Sequence, residues 1–201
     1  MNTQSAHYLA QLASEQINQD SLGLDRMDGL AIAQVMNEVD AQVHLAVKQA
    51  LPQIGEAIEQ IAQRFLRGGR LFYIGAGTSG RLGVLDASEC PPTFGVPPEM
   101  VQGIIAGGYA ALVRAQEGAE DNPDDGAAAM DERGVRAGDF VLGIATSGTT
   151  PYVHGALRRA RELGARTGFL LCTYPSQELI ATHDVVIAPL VGPEVITGST
   201  R

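Results

Sequence analysis

Cysteine is nearly absent: Cys90 and Cys172 are the only two in 201 residues. Two cysteines make neither a disulfide framework nor a metal-ligand spacing, and they suit a reducing cytosol. Basic runs are missing too. No stretch of Lys or Arg exceeds two residues, and 14 basic against 23 acidic side chains leave a formal charge of −9. That removes the electrostatic footprint of a nucleic-acid binder, so no nucleic-acid partner is expected. The N-terminus lacks a basic segment followed by an apolar one, so no signal peptide is read. No apolar run approaches the ~20 residues that span a bilayer, and no membrane partner is expected. The expectation is a cytoplasmic protein.

What the chain does have is apolar material, 45% hydrophobic residues against 18% charged, enough for a sizeable core. Residues 1–24 are polar and weakly periodic. With a short helix inside 25–39 they read as an N-terminal arm over 1–41, ahead of a binding domain over 42–201. Across 42–66, Val43, Val47, Leu51, Ile54, Ile58, Ile61 and Phe65 recur at steps of three or four. They form the stripe of an amphipathic helix that Pro52 kinks or splits and Gly68-Gly69 ends. The pattern then changes. Apolar runs at 70–75, 101–106, 139–144, 167–173 and 185–190 read as strands buried on both faces. Helical stretches near 79–88, 109–116, 151–163 and 176–181 separate most of them, and 122–129 is a turn into another. This alternation predicts an α/β fold: a doubly wound, five-stranded parallel sheet with an N-terminal helical arm.

Two segments have the composition of an anion cradle. Gly75-Ala-Gly-Thr-Ser-Gly-Arg81 follows the first strand directly. Its glycines let backbone amides approach a ligand, Thr78 and Ser79 add hydroxyls, and a helix N-terminus adds partial positive charge. It is neither a dinucleotide fingerprint, lacking the later ribose-binding acid, nor a Walker loop, lacking Gly-Lys-Ser/Thr. It is equally compatible with a tight turn in which Ser79 caps the helix. Ala145-Thr-Ser-Gly-Thr-Thr-Pro151 follows the third strand, with four hydroxyls and a proline suited to the first helical position. Either loop alone could be capping chemistry. Two of them at the carboxyl ends of parallel strands point to a phosphate site, because open α/β sheets bind ligands there. Asp86-Ala-Ser-Glu-Cys-Pro-Pro92 reads as a helix stopped by two prolines, and Glu117-Gly-Ala-Glu-Asp121 as an acidic cluster past another helix. Taken alone, either acidic cluster reads as a solvated loop.

Together these blocks resemble one family. GAGTSGRLGVLDASECPP over 75–92 is similar to the signature of the N-acetylmuramic acid 6-phosphate etherases. Ile105-Ala-Gly-Gly108, Glu117–Asp121, Ser147-Gly-Thr-Thr-Pro-Tyr-Val153 and Val191-Gly-Pro-Glu-Val-Ile-Thr-Gly-Ser199 match further blocks in order, and the likeness runs from about Glu15 to the last residue. Related proteins include sugar isomerase-type binding domains and the animal glucokinase regulatory proteins. The resemblance implies a lyase that removes D-lactate and leaves N-acetylglucosamine 6-phosphate, in cell-wall sugar recycling. By motif, Glu89 matches the family's catalytic acid and Glu120 a second catalytic glutamate. Gly77, Thr78, Ser79, Ser147, Gly148 and Thr149 match the phosphate-binding loops. The sequence departs at position 149, where Thr stands in place of the commoner Arg. Family members continue past Arg201 through further helices, so this chain is expected to be C-terminally truncated.

The implied chemistry needs only two carboxyl groups. In the open-chain sugar the aldehyde acidifies the carbon 2 hydrogen. One carboxylate removes it, an acid protonates the departing ether oxygen on carbon 3, and water adds to the unsaturated product. No metal or redox cofactor is required. A helix running unbroken from Ser79 to Glu89 would carry Glu89 ~15 Å from the phosphate loop, so a homodimer with shared active sites is expected. Two rival readings are a non-catalytic sugar-phosphate sensor and a sugar-responsive transcription regulator. The first needs no pair of catalytic glutamates; the second wants a helix-turn-helix segment and basic charge, and neither is evident.

Overall fold

The computed structural model of the chain describes residues 16–196. Residues 1–15 of the expected arm, and the last five residues of the chain, lie outside the described residues. Two 3-10 turns, Gln19–Ser21 and Leu24–Arg26, lead into helix α1 (Gly29–Gln49). Asp28 caps α1, its carboxylate accepting the Ala31 N–H at 2.8 Å. Helix α2 (Leu51–Phe65) follows at once, with Pro52 in its first turn, where the missing N–H costs nothing. Then come β1 (Leu71–Gly75), α3 (Gly77–Phe94), β2 (Val101–Ile105), α4 (Ala110–Val113), α5 (Pro123–Glu132) and β3 (Phe140–Ile144). The remainder is α6 (Pro151–Glu162), β4 (Arg166–Leu170), α7 (Gln177–Thr182) and β5 (Val185–Ile187).

All strands pair in parallel, in the order β2-β1-β3-β4-β5. Successive side chains of each strand enter opposite layers. Leu71, Phe140, Leu142 and Ile187 meet Ala57 of α2 and Ala87 of α3 on one face. Phe72, Ile74, Val141 and Phe169 meet Met130 of α5 and Val153 and Leu157 of α6 on the other. The sheet is doubly wound, as the alternation of strand and helix predicts. The buried Asp139 carboxylate holds one end of it: it accepts the Arg70 and Arg136 amides at 3.0 Å each and pairs with the Arg70 guanidinium at 2.7 Å. Among the described residues, no helix is long and apolar enough to cross a membrane.

Three local expectations are corrected. The helix read from Gln42 starts at Gly29 and ends at Gln49, with a new helix from Leu51. The break rotates the buried stripe to Ala50, Ile54, Ala57, Ile61 and Phe65, leaving Val43, Leu51 and Ile58 exposed. Secondly, α3 begins at Gly77 rather than Ser79, so Ser79 is not its cap. Gly77 has φ 54°, a conformation that glycine adopts without strain, and it turns the chain into the helix straight after β1. Thirdly, Pro91-Pro92 does not stop α3, which continues to Phe94 and closes with the N–H of left-handed Gly95 on the Pro91 carbonyl at 2.9 Å. The proline ring already holds φ near the helical value, and the pair withdraws only two adjacent donors near the helix end.

α3 lies unusually close to the sheet because small residues face it. A Cβ built on Gly83 would lie 2.7 Å from the Tyr73 Cβ. Gly83→Ala is therefore expected to push α3 off β1 and lower stability by about 1–3 kcal/mol. Gly55→Ala is the control, since a Cβ there meets nothing within 4 Å. Urea midpoints that coincide for the two variants would refute the close packing.

Candidate functional site

The strand order reverses between β1 and β3, the switch point where open α/β sheets bind ligands. A cavity of about 440 Å³ sits at the carboxyl ends of these strands. Three segments wall it: the first turns of α3, the 116–120 loop beyond α4, and the hydroxyl-rich loop after β3.

The α3 wall follows from its glycines. A Cβ on Gly75 would lie 2.7 Å from the Gly80 nitrogen, and one on Gly80 would lie 2.7 Å from the Gly75 carbonyl oxygen. Only this pair allows the helix to start on the very end of the strand. Ala76 occupies the cap position and no side chain caps the helix. The orphan amides of Gly77, Thr78 and Ser79 therefore open onto the cavity beside the Thr78 and Ser79 hydroxyls. The amino end of α6 is different. Pro151 has no N–H, the Tyr152 N–H goes to the Glu120 carbonyl at 3.0 Å, and Val153 and His154 donate to the Thr150 carbonyl. The donors of one helix end are free, whereas those of the other are spent, one on Glu120 and two on Thr150.

Of the residues singled out in the sequence, Gly77, Thr78, Ser79, Ser147 and Glu120 line this one cavity. Gly148 and Thr149 do not. The loop turns at Gly148 (φ 72°), whose N–H donates to the Ala145 carbonyl at 2.9 Å. Thr146, Ser147 and Thr150 face the cavity, while Gly148 and Thr149 line a second one behind it. The Ser147 and Thr149 hydroxyls bond each other at 2.8 Å across the turn. Glu89 also stands apart: it is exposed and lines neither this cavity nor the second one. On an unbroken α3 it is ~18 Å along the axis from Gly77.

Arg81 was not singled out, yet it is the only basic residue in the wall. Its Nε donates to the Leu112 carbonyl at 3.1 Å, fixing the guanidinium at the edge of the cavity. The signal was its spacing: one helical turn after Gly77 and Thr78 puts Arg81 on the same face. Thr150 and Thr146 were counted only as members of a hydroxyl run. Tyr152, behind the Glu120 loop, is buried, and burial followed by Asp125 pushes its phenol up to about 12, so it stays neutral.

A family model described as the glucokinase regulatory protein N-terminal SIS domain matches residues 53–161, more than half of the chain. Among curated relatives, the N-acetylmuramic acid 6-phosphate etherase of Symbiobacterium thermophilum is 54% identical over 193 residues, 96% of this chain and 64% of that protein. The Nostoc punctiforme protein of the same name is 53% identical over 190 residues, 94% of this chain and 61% of its own length. The chain thus spans less than two thirds of the length of these relatives. Two solved structures share the fold: a phosphoheptose isomerase from Francisella tularensis (TM-score 0.58, 21% identity, 87% of this chain and 88% of that one) and one from Neisseria gonorrhoeae (0.54, 19%, 80% and 83%). With its central 53–161 stretch matched by that model, the chain belongs to the family of glucokinase regulatory protein N-terminal SIS domains.

Proposed function

We propose that this chain is the sugar-phosphate-binding core of an N-acetylmuramic acid 6-phosphate etherase. The observation that carries the reading is one shared cavity: the free amides and hydroxyls of the α3 first turn stand beside Ser147, Arg81 and Glu120. An anion suits the first group and Arg81, since helix amides and a guanidinium both favour negative charge. The phosphate occupies that end, and the opened sugar reaches toward the 116–120 loop. There Glu120 removes the carbon 2 hydrogen. Glu89 protonates the ether oxygen on carbon 3 as D-lactate departs, and water adds at carbon 3 to give N-acetylglucosamine 6-phosphate. The relatives carrying the etherase name support this chemistry. No step calls for a metal or a redox cofactor.

Because Glu89 is exposed and distant from its own chain's cavity, it works in the site of a second copy, in a homodimer with shared sites. The substrate class, a charged sugar phosphate, fits a cytoplasmic protein.

N-acetylglucosamine 6-phosphate is expected to raise the melting temperature, since a ligand bound only by the folded state stabilises it. Ser79→Ala together with Ser147→Ala should abolish that shift. A full shift in the double variant would move the phosphate elsewhere.

A further inference from the structure

Behind the turn at Gly148 lies the second cavity, of about 500 Å³. Its wall is unlike the rest of this acidic chain. α6 presents His154, Arg158 and Arg161 to it at steps of four and three, which is one helical face. Among the described residues, no carboxylate lies within 4.0 Å of either arginine, whereas Arg70, Arg159 and Arg166 each have such a partner. A chain of charge −9 has acids to spare, and two neighbouring guanidiniums left without one are a pair of donors kept for something else. Arg161 is half-buried, and burial pulls its pKa down. An anion beside it would remove that penalty. Glu178 is the one carboxylate in the wall, so the two arginines leave it net positive.

His183 adds an independent sign of a missing partner. It is 8% exposed, and burial, then Arg161, lowers its pKa to about 4, so the ring is neutral. Its Nδ1 lies 3.0 Å from the Thr167 hydroxyl and 3.5 Å from an Arg161 nitrogen. Because arginine only donates, Nδ1 is the acceptor and the ring proton sits on Nε2. No hydrogen bond from Nε2 forms among the described residues. His183 borders this cavity and the neighbouring one.

From Arg158 and Arg161, neither with a carboxylate partner among the described residues, on a net-positive wall, we propose that this cavity is a second anion site, taking a phosphate-bearing small molecule. Two guanidinium forks and the Ser176 hydroxyl offer donors in excess, and a phosphate, with acceptors in excess, matches them. The site lies behind the Ser147–Thr149 turn from the first cavity, and Ser147 borders both.

The test follows the His154 and His183 ring signals by NMR while inorganic phosphate is titrated in, against chloride at matched ionic strength. Both signals should move saturably. Arg158 is exposed, so Arg158→Gln leaves the fold intact, and it should weaken the response roughly tenfold or more. Arg161→Lys keeps the charge without the fork and should give a smaller loss. Ser79→Ala should leave the response unchanged. Ring signals that stay fixed in phosphate would overturn the proposal. So would a response that survives Arg158→Gln at full strength, or one lost in Ser79→Ala.

Discussion

Glu120→Gln should lose both turnover and the exchange of the carbon 2 hydrogen with heavy water, whereas Glu89→Gln should lose turnover and keep the exchange. The asymmetry follows from where the two carboxylates stand. Glu120 is on the cavity wall with the phosphate-binding groups of its own chain, and its backbone is pinned by the Tyr152 N–H at 3.0 Å. On the proposed reading it reaches a sugar held by Thr78 and Ser79 and takes the hydrogen beside the aldehyde. Once that hydrogen has left, solvent deuterium can return to carbon 2 whether or not the ether bond breaks. Glu89 is needed only for the leaving oxygen, so its loss stalls the reaction after the reversible step. Each substitution should lower turnover on the order of a hundredfold or more, the usual scale of a positioned acid or base. The two outcomes are read in one experiment, by following deuterium into recovered substrate alongside lactate release. Exchange that persists in Glu120→Gln and vanishes in Glu89→Gln would reverse the two roles.

The parts of this arrangement that the sequence makes legible are those set by short-range rules. Each of the five strands falls inside or within a residue of its apolar run, because a strand covered on both faces must be apolar throughout. The glycine spacing of 75, 77 and 80 likewise dictates the strand-to-helix junction, since only glycine fits the mutual approach of residues 75 and 80. What is not legible depends on angles that accumulate. A run of hydroxyls reads as a single feature, yet the turn at Gly148 sends Thr146 and Thr150 to one cavity and Thr149 to another, with Ser147 bordering both. Arg81 sits in plain view within the glycine-rich segment, but its role depends on α3 starting at Gly77. The Pro91-Pro92 pair misleads because a proline's usual effect is to end a helix, and here its fixed φ lets the helix pass. The unbroken run of α3 from Gly77 is what carries Glu89 away from the amino end of the helix.

That separation underlies the second large effect, the return of activity when two dead proteins are mixed. Glu89→Gln and Ser147→Ala are each expected to be inactive alone, one lacking the acid and the other a phosphate ligand. On α3, Leu82 and Leu85 are 57% and 59% exposed and share a face with Glu89, at steps of three and four. Leucines flanking a carboxylate that has no substrate on its own chain are what an interface delivering that carboxylate to a partner would bury. In a two-fold dimer each site would then take Glu89 from one chain and Ser147 from the other. A mixed dimer of the two variants holds one site with both lesions and one with neither. Random exchange makes half of the dimers mixed, so activity should climb to about a quarter of the wild-type level. Leu85→Asp in both proteins should prevent the recovery by blocking association. If labelled subunits demonstrably exchange and lactate release stays at baseline, Glu89 acts within its own chain, and α3 must bend during turnover to bring it there.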